Sequence, residues 1–340
     1  MPYNPALDGL RAIAVMLVLA FHARVEGFEG GFLGVDVFFV LSGYLITRLL
    51  AEQHASTGSI AVGSFYLRRL RRLYPALLLF LAVYLLAAPF AFPQRDTHLR
   101  DAVVAATYVS DYGYAFWRVP WILNHTWSLS AEEHFYLAWP LVLLAVFRLP
   151  RKHWAPVVLG LAVAATAWRW YVVLNVDTWH QPYYRFDTRL SGLLLGAAAG
   201  LWNPRITRTT AIAGAALLTA AVYQSYFKQP AGLTTWMAAA EVGSVLLVLG
   251  AAHIRALAWA PLVMIGKLSY GIYLWHYPIM LWMRWEGLTG WVPLVIGGGS
   301  AILCAAISYH TVERLARSGR RHGVEAGRAG QVGGLSGDPR

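Results

Sequence analysis

The chain has 340 residues, of which 58% are hydrophobic and only 13% charged, and its mean hydropathy is +0.48. That balance excludes an ordinary water-soluble domain, in which about a quarter of the residues carry charge, and identifies an integral membrane protein. The formal net charge of +11 follows the pattern that membrane topology requires, so nucleic acid is not among the implied partners.

A span needs about 20 mostly apolar residues. Irregular backbone exposed to lipid leaves peptide groups unpaired, so the spans are helices and the fold is all-α. Helices are predicted near 8–24, 31–50, 74–93, 134–148, 154–174, 189–203, 210–227, 235–252, 261–283 and 291–310, a bundle of about ten transmembrane helices. Region 102–117 is short, carries Asp111 and reads as a re-entrant or surface segment. With ten helices, Arg48, the RRLRR cluster, Arg148 with Arg151 and Lys152, Arg205 with Arg208, Arg255 and the basic tail all fall on one side. The other side receives single charges such as Arg95, Arg118, Lys228 and Arg284. Counting 102–117 as a span would move RLPRK across and spoil this asymmetry, so both termini are expected in the cytoplasm. Residues 1–315 form one membrane-embedded domain, and 316–340 a basic, Gly-rich tail expected to be disordered. The amino terminus lacks the basic region and cleavage site of a signal peptide, so the first span is expected to be retained. Cys304 is the sole cysteine, which rules out an internal disulfide and a cysteine metal site, and no metal is expected. No long internal repeat is visible, against an inverted-repeat transporter.

The first helix, LDGLRAIAVMLVLAFH, carries Arg11 and His22. Eleven residues are close to three turns, so the two share a face about 16 Å apart. Asp8 lies on that face at i, i+3 from Arg11, placed to hold the guanidinium. Charges within spans face bundle interiors or cavities; the other reading has Arg11 snorkelling to the cytoplasmic interface and His22 in the outer headgroups. Asp36, just inside the outer end of helix two, is on His22's side and could orient an imidazole base. Ser42 and Gly43 follow at mid-membrane as close-packing residues. In SFYLRRLRRLYPAL the arginines Arg68, Arg69, Arg71 and Arg72 form a positive-inside flank, and Arg69 and Arg72, three apart, can also clamp phosphate. The stretch SLSAEE resembles a capping box, with Ser128 or Ser130 as cap and Glu132 or Glu133 in the first turn. A second acid beside His125, His134 and Tyr136 exceeds what a cap needs. Asp187 and Arg189 read as a local ion pair. Ser269, Tyr270, Tyr273 and His276 follow Lys267 along helix nine, and Lys267 and His276, nine apart, face opposite ways. Glu313 and Arg314 mark the cytoplasmic end of the last helix.

Six strings, LDGLRAIAVMLVLAFH, GVDVFFVLSGYLI, YLRRLRRLYPAL, WSLSAEEHFYLAWP, DTRLSGLLLGA and GKLSYGIYLWHYP, together resemble the bacterial membrane acyltransferase-3 family over about residues 4–315. These O-acyltransferases modify polysaccharides, peptidoglycan, lipids and macrolides. The resemblance implies a multi-pass protein of the bacterial cytoplasmic (inner) membrane. It implies cytoplasmic acyl-CoA, acetyl-CoA first, as donor, and a carbohydrate or glycosylated small-molecule acceptor, with membrane lipids around the bundle. Arg11 and His22 match the essential pair of the first helix, and Arg69 and Arg72 the RxxR pair. Glu132, Tyr136, Arg189, Ser269, Tyr270 and His276 match further characteristic positions. The last helix ends in ERL where the family often has ERP. Larger members append an extracytoplasmic esterase-like domain; this sequence shows none, so it is expected to transfer acyl groups alone or hand them to a separate protein.

The expected chemistry gives His22 the role of general base or transient acyl carrier, oriented by Asp36 or Glu132, with Arg11 below it. Arg68, Arg69, Arg72, Ser269 and Tyr270 would hold the donor; Glu133, Tyr136, Arg189 and His276 would contact the acceptor. A transporter or flippase using Arg11 and His22 as a proton relay is the competing reading, and a noncatalytic scaffold a third.

Overall fold

A computed structural model describes residues 3–313 apart from 205. The predicted tail 316–340, Arg314 and Arg205 therefore lie outside the described residues. Among the described residues the secondary structure is helical, without a β-strand. The helices are α1 Pro5–His22, α2 Gly34–Thr57, α3 Val62–Ala91, α4 His98–Ala106, α5 Ser110–Trp117, α6 Trp127–Val146, α7 Trp154–Asn175, α8 His180–Tyr184, α9 Phe186–Trp202, α10 Arg208–Gln224, α11 Met237–Gly250, α12 Ala260–Trp285 and α13 Gly298–Ser308. Six helical stretches, 5–22, 31–57, 62–91, 151–175, 232–253 and 293–313, are long and apolar enough to cross a membrane. The other four predicted segments are also helical. Two of them, α9 and α10, have 17 residues each, and α6 and α12 carry the polar groups of the site.

Helix boundaries differ from the sequence reading where polar residues lie inside helices. α3 starts at Val62, well before residue 74, because the arginine run is made of good helix formers with no breaker before Pro75. α6 starts at Trp127, which carries SLSAEE into the helix and removes its capping role. Ser128 Oγ instead lies 2.7 Å from the Tyr273 hydroxyl, and Ser130 Oγ donates to the Thr126 carbonyl at 3.2 Å while accepting the Ser110 N–H at 3.1 Å. Region 102–117 lies on α4 and α5, tied in by buried acids. Asp101 accepts the N–H groups of Trp121 and Ile122 at 2.8 and 3.0 Å, and Asp111 lies 3.0 Å from His134 Nδ1 on α6.

Two close helix contacts position the site. α1 and α12 run side by side in parallel: Gly266 sits so near α1 that a Cβ there would come within 1.8 Å of the Asp8 carbonyl oxygen, and further along His22 meets His276. α2 packs on α9 in the same manner, a Cβ on Gly43 falling 1.9 Å from the Leu193 carbonyl oxygen. Small residues are what permit such backbone approach between membrane helices.

Two buried ion pairs pin the bundle. Arg189 of α9 donates to both Asp36 oxygens on α2 at 3.0 Å, and Arg169 of α7 donates to Glu241 of α11 at 2.6 and 3.2 Å, with Ser191 bonding the same carboxylate at 2.6 Å. The local pair expected between Asp187 and Arg189 does not form. Asp187 pairs with Arg185, two residues back, because Arg189 lies a half-turn onward and points into the bundle toward Asp36.

Candidate active site

Two cavities open along the face of α1. The first, about 100 Å³, is lined by Arg11, Ser42, Arg69, Arg72, Glu132, Tyr136, Lys267, Ser269 and Tyr270 among others. It adjoins a space of about 300 Å³ that shares Arg11, Ser42, Arg69, Arg72 and Tyr136. The second, about 370 Å³, is lined by His22, Arg24, His125, Trp127, Trp179, Tyr183, Phe227, Lys228, Tyr277 and Arg284 among others. Val35 and Tyr273 line both, and so form the partition between them. The helical spacing of Arg11 and His22 on one side of α1 thus gives one residue to each cavity.

In the first cavity, Asp8 accepts from Arg11 at 3.2 Å and from the Tyr3 hydroxyl at 2.7 Å, fixing the guanidinium by the predicted i, i+3 pairing. Ser42 donates to Glu132 Oε1 at 2.6 Å and accepts the Tyr136 hydroxyl at 3.0 Å. Ser42 is therefore a polar link in a Tyr136–Ser42–Glu132 chain, not the packing residue its mid-helix position suggested; Gly43 does pack. The Arg69 guanidinium lies 4.7 Å over the Tyr136 ring. Tyr270 donates to the Leu73 carbonyl at 3.1 Å, tying α12 to the α3 arginine helix.

In the second cavity, His22 Nδ1 lies 3.0 Å from His276 Nε2, and His276 Nδ1 lies 2.7 Å from the Tyr273 carbonyl oxygen. A carbonyl only accepts, so His276 carries its proton on Nδ1. Its Nε2, in the neutral ring, then accepts from His22 Nδ1–H, and the free lone pair of His22 is on Nε2. His125 approaches the same turn for a reason written in the sequence. Pro278 has no N–H for the carbonyl of Leu274, four residues back, and His125 Nε2 lies 3.2 Å from that oxygen.

The family model described as an acyltransferase domain matches residues 4–310. The chain belongs to this family. The acyltransferase chain is similar to the peptidoglycan O-acetyltransferase OatA of Listeria monocytogenes, with 34% identity over 307 residues, covering 82% of this chain and 49% of that protein. It is similar to the O-acetyltransferase OatA of Staphylococcus aureus, with 34% identity over 345 residues, covering 92% of this chain and 57% of that one. It spans about half the length of these curated relatives. No solved structure matches it significantly.

The structure of this acyltransferase domain sorts the predicted site residues. Arg11, Arg69, Arg72, Glu132, Tyr136, Ser269 and Tyr270 share one cavity, and His22 lines the other. Asp36 does not orient His22: its carboxylate is engaged by Arg189, and neither residue lines a cavity. Glu132 does not orient His22 either, being bonded to Ser42 in the first cavity. The orienting group is His276, which is fully buried behind His22 instead of facing an acceptor. Arg68 turns back along α3 to Ser64, at 2.9 Å, and lines neither cavity, since its neighbours Arg69 and Arg72 occupy the inward face. Glu133, next to Glu132 on a helix, faces away and likewise lines neither. The sequence reading noted His125 without a role, and missed Arg24 and the partition role of Tyr273. Only Pro278, four residues after Leu274, marked a carbonyl in need of a donor.

Proposed function

We propose that the chain is a membrane O-acyltransferase that moves an acetyl or other short acyl group from acyl-CoA to a hydroxyl of a sugar-containing acceptor. The observation that carries this reading is that one helix presents Arg11 to one cavity and His22 to another, the two meeting at Val35 and Tyr273. In this reading about ten helices cross the bacterial cytoplasmic membrane with both termini inside, and the first cavity opens to the cytoplasm beside the basic flanks.

The residues of the first cavity suit the donor. Arg69, Arg72 and Lys267 supply cations for phosphates, and the narrow interior toward Ser269 and Tyr273 suits an extended, uncharged arm. Arg11, held by Asp8 some three turns from His22, lies in the first cavity where the polar arm of the donor would pass, and its guanidinium suits the amide carbonyls of that arm. His22 Nε2 takes the proton of the acceptor hydroxyl as that oxygen attacks the thioester carbon. The carbon–sulfur bond breaks, and the proton passes from His22 to the leaving thiolate, giving an ester and free CoA thiol. A transient acyl-His22 would use the same lone pair. His276 holds His22 in the required tautomer, the part a carboxylate plays in many triads. The names of the relatives favour a cell-wall saccharide over a macrolide as acceptor.

The test uses the full chain in lipid nanodiscs with acetyl-CoA and soluble wall saccharides, following thiol release and the mass gain of one acetyl group. His22→Ala is expected to abolish both. Transfer at the wild-type rate in that variant would overturn the assignment.

A further inference from the structure

We infer that the second cavity is a binding site for an anionic saccharide, one whose acceptor hydroxyl lies on a sugar that also bears a carboxylate or phosphate. This deepens the proposed function, since it names the acceptor class of the same site.

Three cations, Arg24, Lys228 and Arg284, line this cavity and no Asp or Glu does, while an adjoining space of about 420 Å³ that shares Arg24 and Lys228 has one acid, Glu29, in its wall. They come from three separate parts of the chain: the turn after α1, the loop after α10 and the last turn of α12. None of the three makes an ion pair among the described residues. The two nearest acids in sequence to Arg24 do not answer it either; Glu29, for example, accepts the Gly27 N–H at 3.2 Å. This contrasts with the bundle interior, where Arg169 and Arg189 each have a carboxylate at hydrogen-bond distance. The Arg284 Nε is buried without a hydrogen-bond partner among the described residues, as are those of Arg169 and Arg189, but Arg284 alone of the three also lacks a carboxylate and lines a cavity. A buried charged donor without a partner is costly in a protein interior, and a ligand anion reaching this cavity would satisfy it.

The cations flank His22. Arg284 lies 5.7 Å from the Tyr277 ring centroid, and the Tyr277 and His22 rings are 4.8 Å apart. On the other side Lys228 lies 5.5 Å from the Trp179 centroid, Trp179 is 4.5 Å from Phe227, and Phe227 connects through Phe21 to His22. Arg24, two residues beyond His22, sits in the left-handed region at φ 57°, an uncommon conformation for a side-chain-bearing residue, and it keeps the guanidinium at this mouth. Aromatic faces offer flat apolar walls for the C–H face of a sugar ring. Guanidinium groups bind carboxylate and phosphate alike by charge-assisted, paired hydrogen bonds. Together these features fit a ring held by aromatics with its anionic substituent between Arg24, Lys228 and Arg284 and a hydroxyl at His22. A neutral polysaccharide would leave all three cations unanswered.

Saturation-transfer NMR on the full chain in nanodiscs tests this with three probes: N-acetylglucosamine, N-acetylmuramic acid and N-acetylglucosamine 1-phosphate. The expected result is at least tenfold tighter binding of one or both anionic sugars than of the neutral one. Preference for the muramic acid identifies a carboxylate ligand, and preference for the phosphate a sugar phosphate. Arg24→Gln with Lys228→Gln, both exposed positions, should reduce the preference severalfold, and Arg284→Gln should reduce it too, the readout in each variant being the ratio of anionic to neutral binding. Equal binding of neutral and anionic sugars, no binding of any of the three, or an undiminished preference in the variants would each overturn the inference. Because this readout needs no turnover, absence of acetyl transfer by the wild-type chain would sink the proposed function while leaving a measured anion preference standing.

Discussion

Replacing His276 by Phe removes the acceptor of the His22 Nδ1–H without changing the side chain that would do the chemistry. The structure sets the expected size. A hydrogen bond of 3.0 Å between the buried His276 ring and the half-buried His22 ring contributes about 0.5–1.5 kcal/mol, and leaving the His22 N–H unpaired costs about 1–3 kcal/mol more. The ring then has the Val18 carbonyl one turn back as its remaining neighbour, and rotating toward it, or moving the proton to Nε2, takes the lone pair away from the acceptor. With each 1.4 kcal/mol worth a factor of ten in rate, His276→Phe should lower kcat by about 10- to 1,000-fold and leave KM for acyl-CoA within about twofold, since His276 does not line the first cavity. His276→Gln places an amide oxygen near the position of Nε2 and should restore a large part of the rate. The assay is thiol release by the full chain in nanodiscs, with thermal unfolding of each variant measured alongside. A His276→Phe enzyme at wild-type kcat, or a Gln variant as impaired as the Phe variant despite equal thermal stability, would show that His276 only fills space.

Three further outcomes follow from the same geometry. Arg69→Ala and Arg72→Ala should each raise KM for acetyl-CoA about tenfold or more, the loss of one charge-assisted contact, while Arg68→Ala, which turns away to Ser64, should change it less than about twofold; equal effects of all three would reduce the cluster to a surface potential. Asp36→Asn leaves Arg189 buried without its carboxylate and should cost about 3–5 kcal/mol of stability, read as a drop in the unfolding midpoint in detergent; the paired change Asp36→Leu with Arg189→Met should recover most of it, and failure to do so would mean the pair does more than pin α2 to α9. Gly266→Ala should cost about 1–3 kcal/mol by pushing α12 off α1 and should lower kcat as His22 and His276 separate; a variant with unaltered stability and activity would contradict the close approach at the Asp8 carbonyl.

The sequence made the helices legible because the bilayer demands long apolar runs, and made Arg11 and His22 legible because a helix repeats its face every three turns. Both arguments are local. The helix starts were misplaced at α3 and α6 for one reason: hydropathy marks where a helix is apolar, not where it begins, and RRLRR and SLSAEE are polar yet helical. Cross-helix partners were beyond the same arguments. Nothing local in VDVFF states that Asp36 would meet Arg189, 153 residues away in sequence, or that Ser42 would bond Glu132 instead of packing beside Gly43. Asp187 was matched to Arg189 because sequence nearness was the only criterion at hand, although Arg185 was equally near and lies on the correct side of the turn.

Pairing is the criterion that separates the polar groups of this bundle by task. Arg169 and Arg189 are fully buried and each is neutralised by a carboxylate from another helix, Glu241 and Asp36. A pair of that kind fixes helix against helix and leaves no net charge for a ligand. Arg69, Lys267, Arg24, Lys228 and Arg284 reach the cavities and make no ion pair among the described residues. Arg11 stands between the two groups, held by Asp8 on its own helix yet open to the first cavity. That arrangement orients a charge toward the cavity without withdrawing it from a ligand. The intramembrane arginines therefore are not one class: those paired across helices build the walls, and those left facing the two cavities are placed to meet negative charge arriving from either end.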